Sequence, residues 1–330
     1  MIRLHPGYLL LCCCLLLSAC GSDSGDSPAA ANPEPVARGD NPIVSAHRGG
    51  AAYAPENTLL AMDNAIRLGV DQLEADTQLS ADGVAVLIHD DTLDRTTDCN
   101  GPVNAKTLEE LQSCDAAHWF SPGQAVTSPD DAREHPLRGE GITIPTAEAL
   151  LAQLAAMGDE APGLSIEIKD IPPESNFDPV GTQVASVLVP LIQQYGLQDK
   201  TIIQSFWPTV LDAVKLMDSS IRTQFLTSSE LGIIATLNLL YSTARLHDIL
   251  APDFESPDFN ATLVDLAHTL GKQVIPWTMD SRSELEAVTA LGVDGLITNY
   301  PACLLAIQGR RGQGEAAPMG VPAIADCPGE

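Results

Sequence analysis

Basic side chains are scarce in this sequence: 17 Lys and Arg stand against 44 Asp and Glu in 330 residues, a formal net charge of -27. A field of that sign repels nucleic acid and anionic membrane surfaces, so no nucleic-acid partner is expected. It also disfavours a phosphate-bearing substrate, unless the site that holds it carries its own positive charge from a metal or from placed Arg and Lys. No internal repeat is evident. The apolar stretch Tyr8–Leu17 is far shorter than the ~20 residues that span a bilayer.

That stretch, preceded by Arg3 and followed by Leu17-Ser18-Ala19-Cys20 before Gly21, reads as a signal peptide over residues 1–19. The last residues resemble the lipobox of bacterial lipoproteins, which implies cleavage before Cys20 and lipidation of its sulfur. The expected location is an exported protein, lipid-anchored to a bacterial membrane and facing the periplasm or cell surface; the plainer alternative is secretion with Cys20 in the discarded peptide. Residues 20–41 are rich in Ser, Ala, Pro, Gly and Asp and cannot bury a core, so they read as a lipidated cysteine and flexible tether. Beyond Cys20 the cysteines are Cys99, Cys114, Cys303 and Cys327. An even count in an exported chain favours disulfides, and proximity in sequence favours Cys99–Cys114 and Cys303–Cys327 among the three pairings.

From Pro42 onward short β-branched or apolar runs recur: Ile43–Ala46, Gln72–Asp76, Val84–His89, Leu164–Lys169, Thr201–Ser205, Arg222–Leu226, Gln273–Thr278 and Gly295–Thr298. Helical periodicity separates most of them, over Thr58–Leu68, Pro179–Tyr195, Pro208–Leu216, Asn260–Leu270 and Ser283–Leu291. Eight strands alternating with helices predict an α/β fold, a TIM-type (β/α)8 barrel over residues 42–308, followed by a C-terminal tail, 309–330, pinned by Cys327. Thr77–Gly83 is too short for a crossover helix, so between the second and third runs a helix is missing or the two form a hairpin. A Pro-, Gly- and charge-rich insertion, 115–143, reads as a loop over the barrel mouth.

The polar residues of these runs fall where a parallel barrel keeps its active site, at the C-terminal strand ends. His47 and Arg48 close the first run, Glu74 and Asp76 lie on the second, His89 ends the third, and Glu167 and Lys169 lie on the fourth. Residues i and i+2 of a strand share a face, so Glu74 and Asp76 point together, as do Glu167 and Lys169. Three carboxylates in one pocket repel one another unless a cation neutralises them, and oxygen ligands select a hard ion, Ca²⁺ or Mg²⁺. His47 and His89 can move protons near neutral pH. Arg48 offers a planar fork for phosphate oxygens, and Gly49-Gly50 let backbone approach an anion. His118, His135, His247 and His268 read as structural.

The motifs Ala46-His47-Arg48-Gly49-Gly50, Pro55-Glu56-Asn57-Thr58, Leu73-Glu74-Ala75-Asp76 and Ile88-His89-Asp90 resemble the glycerophosphodiester phosphodiesterase family. Thr92-Leu93-Asp94-Arg95-Thr96-Thr97, Ile166-Glu167-Ile168-Lys169, Gln204-Ser205-Phe206, Trp277-Thr278 and Gly292–Thr298 extend the resemblance over roughly Pro42–Ala306. It implies a metal-dependent hydrolase that releases glycerol 3-phosphate and an alcohol. By the same resemblance Glu74, Asp76 and Glu167 bind one divalent cation, Ca²⁺ ahead of Mg²⁺; His47 and His89 are acid and base; Arg48 and Lys169 hold phosphate. Glu56 is implied as a further polar contact and Trp277 as a wall against the glycerol moiety. Relatives often carry Asp where this chain has Asn299; that departure is expected to stand clear of the metal and acid–base residues and to bear on substrate choice. Two rivals remain: phospholipase D-like cleavage of lysophospholipids or sphingolipids on the same fold, and a surface lipoprotein that binds without turnover.

Overall fold

The computed structural model describes residues 41–129, 132–169, 177–228, 247–310 and 327–328. The signal peptide, Cys20, the tether and most of the C-terminal tail therefore lie outside the described residues. Eight parallel strands follow one another around a barrel: β1 (Ile43–Ala46), β2 (Gln72–Leu79), β4 (Gly163–Ile168), β5 (Thr201–Ser205), β6 (Arg222–Thr227), β7 (Ile249–Pro252), β8 (Gln273–Val274) and β9 (Gly295–Thr298). The ladder runs β8-β7-β6-β5-β4-β2-β1-β9. Backbone hydrogen bonds close the circle between the β8 and β9 segments, with Asp294 N donating to Val274 O at 2.9 Å and Ile297 N to Pro276 O at 3.0 Å.

Two expectations about the strands are corrected. Val84–His89 supplies no barrel strand: its core, β3 (Ala85–Leu87), runs antiparallel to β2, with Thr77 opposite Leu87 and Leu79 opposite Ala85. Of the two alternatives for Thr77–Gly83 the hairpin is the one formed: a tight turn joins the two strands, with Gly83 N donating to Ser80 O and Gly83 at φ 79°. The eighth barrel strand is instead β7, a short run ending in Pro252 that hydrophobic periodicity does not mark.

Among the described residues the helices are α1 (Leu59–Leu68), α2 (Leu108–Gln112), α3 (Ala147–Met157), α4 (Gln183–Gln194), α5 (Pro208–Met217), α6 (Ala261–Thr269), α7 (Arg282–Thr289) and α8 (Pro301–Ile307). Their starts follow from local chemistry. Thr58 and Thr146 accept N–H bonds from Ala61 and Ala149, and Ser281 with Glu284 forms a reciprocal capping box. Alternate residues of the strands, such as Leu73, Ala75, Leu164, Ile166, Ile203 and Leu296, pack outward with the helices in the main core.

The barrel's interior has two characters. Ile202, Ile249, Ile275 and Ile297 form an apolar plug from β5, β7, β9 and the residue after β8, with Trp277 packed on it. On β2 and β4 the inward residues are Gln72, Glu74, Asp76, Ser165 and Glu167, all buried. Polar chemistry is thus concentrated on one arc of the barrel. Among the described residues two disulfides form, Cys99–Cys114 and Cys303–Cys327, the latter joining Cys327 to α8. The insertion packs on the rim beside β1 and β9, where Gly123 N donates to Ala52 O and Tyr300 Oη donates to Gly123 O.

Candidate active site

β2 and β4 are in register with Asp76 opposite Glu167, so the two inward carboxylates are direct neighbours and Glu74 lies two residues below Asp76. One carboxylate oxygen from each of Glu74, Asp76 and Glu167 lies within 4.8 Å of the other two, and all three residues are buried. Asp76 Oδ1 receives no hydrogen bond. A buried carboxylate oxygen without a donor, facing two more carboxylates, is what an oxygen-coordinated cation would satisfy.

Both oxygens of Glu74 and the other oxygen of Asp76 are held by hydrogen bonds. Arg48 N and Gln204 Nε2 donate to Glu74 Oε2 and Oε1, each at 2.8 Å. Asn57 brackets Asp76, donating from Nδ2 to Oδ2 at 2.8 Å while its Oδ1 accepts from Asp76 N at 3.0 Å. Both Arg48 (φ 53°) and Asn57 (φ 58°) adopt the left-handed conformation in the turn that brings these groups over β2. That conformation is uncommon outside glycine. Gly49 makes the turn fit: at φ 84°, a Cβ there would stand 2.7 Å from Ala61 Cβ.

Cations line the other side. Arg48 Nη1 is 2.8 Å from Glu56 Oε1, and its Nε is 3.4 Å from Asp76 Oδ2. Lys169 Nζ lies 3.0 Å from Glu167 Oε1 and 3.1 Å from His89 Nε2. His89 Nδ1 is 2.7 Å from Asp90 Oδ1. Arg95 ties the set together, reaching Asp90 with Nε at 2.7 Å and Glu56 with Nη1 at 2.6 Å. His89 itself is positioned by the hairpin, since Ile88 N donates to Asp76 O and the buried Gln78 donates from Nε2 to His89 O. On the opposite side His47 Nε2 is 3.9 Å from Glu74 Oε2, and its Nδ1 is 2.7 Å from Asn299 Oδ1.

Burial and crowding drive the titration of these groups. In the absence of a cation, burial and then the neighbouring Asp76 push Glu74 well above the usual carboxylate range. Burial likewise raises Glu167 to about 7, against the pull of Lys169. Burial alone would raise Asp76, but His89, Arg48 and Lys169 hold it far below its ordinary value. Burial, with Arg48 adding to it, lowers His47 to about 3 and lowers His89 as well. Two carboxyls that resist ionisation in one pocket are a second sign of a site built around a positive charge.

Residues 47–303 match the glycerophosphoryl diester phosphodiesterase family. The glycerophosphodiester phosphodiesterase of Caldanaerobacter subterraneus subsp. tengcongensis is 31% identical over 268 residues, 80% of this chain and 96% of that protein. The chain belongs to this family. A Bacillus subtilis glycerophosphodiester phosphodiesterase is 27% identical over 79% of this chain and 85% of its own. Among solved structures, an Oleispira antarctica phosphodiesterase in complex with the product sn-glycerol-3-phosphate superposes with a TM-score of 0.66 at 26% identity, over 82% of this chain and 97% of that one.

In this family member the structure brings His47, Arg48, Glu56, Glu74, Asp76, His89, Glu167 and Lys169 into one connected group. Trp277 stands across the mouth, its ring 5.5 Å from that of Phe206 and its Nε1 donating to Ala251 O. One expectation is corrected: Asn299 does not stand clear of the acid–base residues but touches His47 directly, because the residue after β9 points inward beside the end of β1. Sequence reasoning also gives no role to Gln204, Asp90, Arg95 or Asp280. The signal available for Gln204 is a polar residue at an inward strand position; Asp280 leaves none.

Proposed function

We propose that this site hydrolyses glycerophosphodiesters to glycerol 3-phosphate and an alcohol with one divalent cation, Ca²⁺ ahead of Mg²⁺. The observation that carries the reading is the buried Glu74–Asp76–Glu167 cluster with an undonated Asp76 oxygen, flanked by two histidines. The sn-glycerol-3-phosphate product held by the Oleispira phosphodiesterase supports the substrate class. Glu74, Asp76 and Glu167 would hold the cation, which supplies Lewis acidity to the phosphoryl oxygens. Flexible carboxylate ligation in a site built from three separate carboxylates suits Ca²⁺.

The chain's own residues do the rest. One of His47 and His89 removes a proton from the attacking water or from the neighbouring glycerol hydroxyl, and the other delivers one to the leaving alkoxide. Arg48 and Lys169 stabilise the extra negative charge at phosphorus, and Arg95 keeps Asp90 and Glu56 aligned behind His89 and Arg48. The Phe206–Trp277 pair offers an apolar wall for the carbon portion of the diester. The chain is further proposed to be exported and anchored through Cys20, a reading that the two disulfides support, since such bonds persist in oxidising compartments.

A coupled assay for glycerol 3-phosphate, run on several head groups with EDTA and then Ca²⁺ or Mg²⁺ restored, tests the reading. Turnover should vanish with EDTA, return with the ion, and be lost in His47→Ala, His89→Ala and Asp76→Ala. Undiminished turnover in those variants, or faster cleavage of lysophosphatidylcholine than of glycerophosphocholine, would overturn it. Membrane association retained by Cys20→Ser would overturn the anchor.

A further inference from the structure

The two histidines are held by different chemistry. His89 Nδ1 faces a carboxylate, Asp90, whereas His47 Nδ1 faces an amide oxygen, Asn299 Oδ1, at 2.7 Å. Asn299 is itself gripped from behind. Its Nδ2 lies 2.9 Å from Asp280 Oδ2 and 3.1 Å from Oδ1, and its backbone N donates to the same Oδ1 at 3.1 Å.

That grip decides which way the amide faces. Turned over, Asn299 would set its carbonyl oxygen against the two oxygens of Asp280, acceptor against acceptor. With Nδ2 committed to Asp280, Oδ1 must face His47. A carbonyl oxygen only accepts, so the hydrogen between them belongs to His47 Nδ1, and a neutral ring then carries its lone pair on Nε2. Nε2 is the nitrogen that points at the carboxylate cluster.

We propose that Asn299, oriented by Asp280, is a positioning residue that fixes His47 in the tautomer with hydrogen on Nδ1 and a bare Nε2 facing the reacting centre. Asp280 acts on His47 through Asn299. The catalytic consequence rests on the phosphodiesterase reading; the tautomer does not. The pairing also accounts for asparagine at this position. An aspartate at 299 would place a second carboxylate about 3 Å from that of Asp280, where the two could not both ionise.

The test reads the ring directly. Full-length protein carrying ¹⁵N-labelled histidine is examined by long-range ¹H–¹⁵N correlation, with and without Ca²⁺, and His47→Asn assigns the signal. The expected spectrum shows a protonated Nδ1 and an unprotonated Nε2, with both tautomers populated in Asn299→Ala and in Asp280→Ala. In parallel, Asn299→Ala should lower kcat for glycerophosphocholine by about tenfold to hundredfold with KM little changed. The double variant Asn299→Ala/Asp280→Ala should be no worse than Asn299→Ala alone. Hydrogen on Nε2 in the unaltered protein overturns the proposal whether or not the variants fold, as does an unchanged His47 spectrum in Asn299→Ala. A spectrum as expected from a protein that cleaves no glycerophosphodiester would uphold the tautomer and overturn the functional reading instead.

Discussion

Gln204 offers a sharp test of how the barrel prepares its carboxylates. It sits on β5, 2% exposed, across β4 from Glu74, and its Nε2 donates to Glu74 Oε1 at 2.8 Å. Its own Oε1 accepts from Gln224 Nε2 at 2.7 Å, so Nε2 is the end of the amide that faces Glu74. With Arg48 N on the other oxygen, Glu74 has one donor on each side, and its plane is fixed with the remaining lone pairs free for a cation. Gln204→Leu keeps the volume and removes the donor. A hydrogen bond to a charged group contributes about 1.5–3 kcal/mol, and since about 1.4 kcal/mol is tenfold, Ca²⁺ affinity should weaken about tenfold to hundredfold.

Calorimetric Ca²⁺ titration of the EDTA-stripped protein measures that change, and thermal unfolding separates it from simple destabilisation. Gln224→Leu is the control. It strands Gln204 Oε1 in the core at a cost of about 1–3 kcal/mol, comparable to the loss in Gln204→Leu, but leaves the Glu74 contact in place. The expectation is therefore similar melting shifts and unequal Ca²⁺ affinities. Unaltered Ca²⁺ affinity in Gln204→Leu, or equal weakening in both variants, would show that Glu74 is not oriented from β5 and would refute the reasoning.

Because Glu167 stands at about 7 and Glu74 well above its usual range without the ion, cation binding below about pH 7 must release protons, so affinity falls as pH falls. Proton-free binding near pH 6, read by calorimetry in two buffers, would contradict this. In the metal-free protein the raised Glu167 contributes stability that is lost as pH rises from the unfolded carboxyl range toward about 7, so Glu167→Gln should lose less stability than the unaltered protein across that window in chemical unfolding. Raising salt should increase kcat/KM for an anionic diester, since screening weakens the repulsion of a protein of net charge -27; a steep decrease would refute that account. The Cys99–Cys114 disulfide joins residues at a sequence separation of 15. Replacing both cysteines by Ser should cost about 3 kcal/mol in denaturant unfolding.

What the sequence makes legible and what it hides divide along physical lines. The i, i+2 spacing of Glu74 and Asp76 is local, and a strand's two-residue period carries it directly into the structure. Helix starts at Thr58 and Thr146 are likewise local, resting on side chains that cap their own helices. β7 escapes the pattern because so short a run carries little periodicity and its terminal Pro252 reads as a breaker. Val84–His89 takes its place because β-branched composition cannot distinguish a parallel barrel strand from the return arm of a hairpin. The contact between His47 and Asn299 spans 252 residues, and that between Glu74 and Gln204 spans 130. Neither residue type nor spacing encodes such contacts; barrel closure creates them.

Closure also explains how so acidic a chain could accept an anionic substrate. Three of its 17 basic residues, Arg48, Arg95 and Lys169, are gathered beside five carboxylates: Glu56, Glu74, Asp76, Asp90 and Glu167. With all eight ionised the group falls two positive charges short, and the protein meets that deficit in part by keeping Glu74 and Glu167 protonated when no cation is bound. One divalent ion would restore neutrality and let both ionise, leaving Arg48 and Lys169 available to the phosphate instead of compensating carboxylates. The apolar plug under Trp277 confines this exchange to the arc made by β1, β2 and β4, where low polarizability on the far side strengthens each interaction. The attraction is therefore short-ranged and conditional on the cation, while the long-range field of the protein stays repulsive.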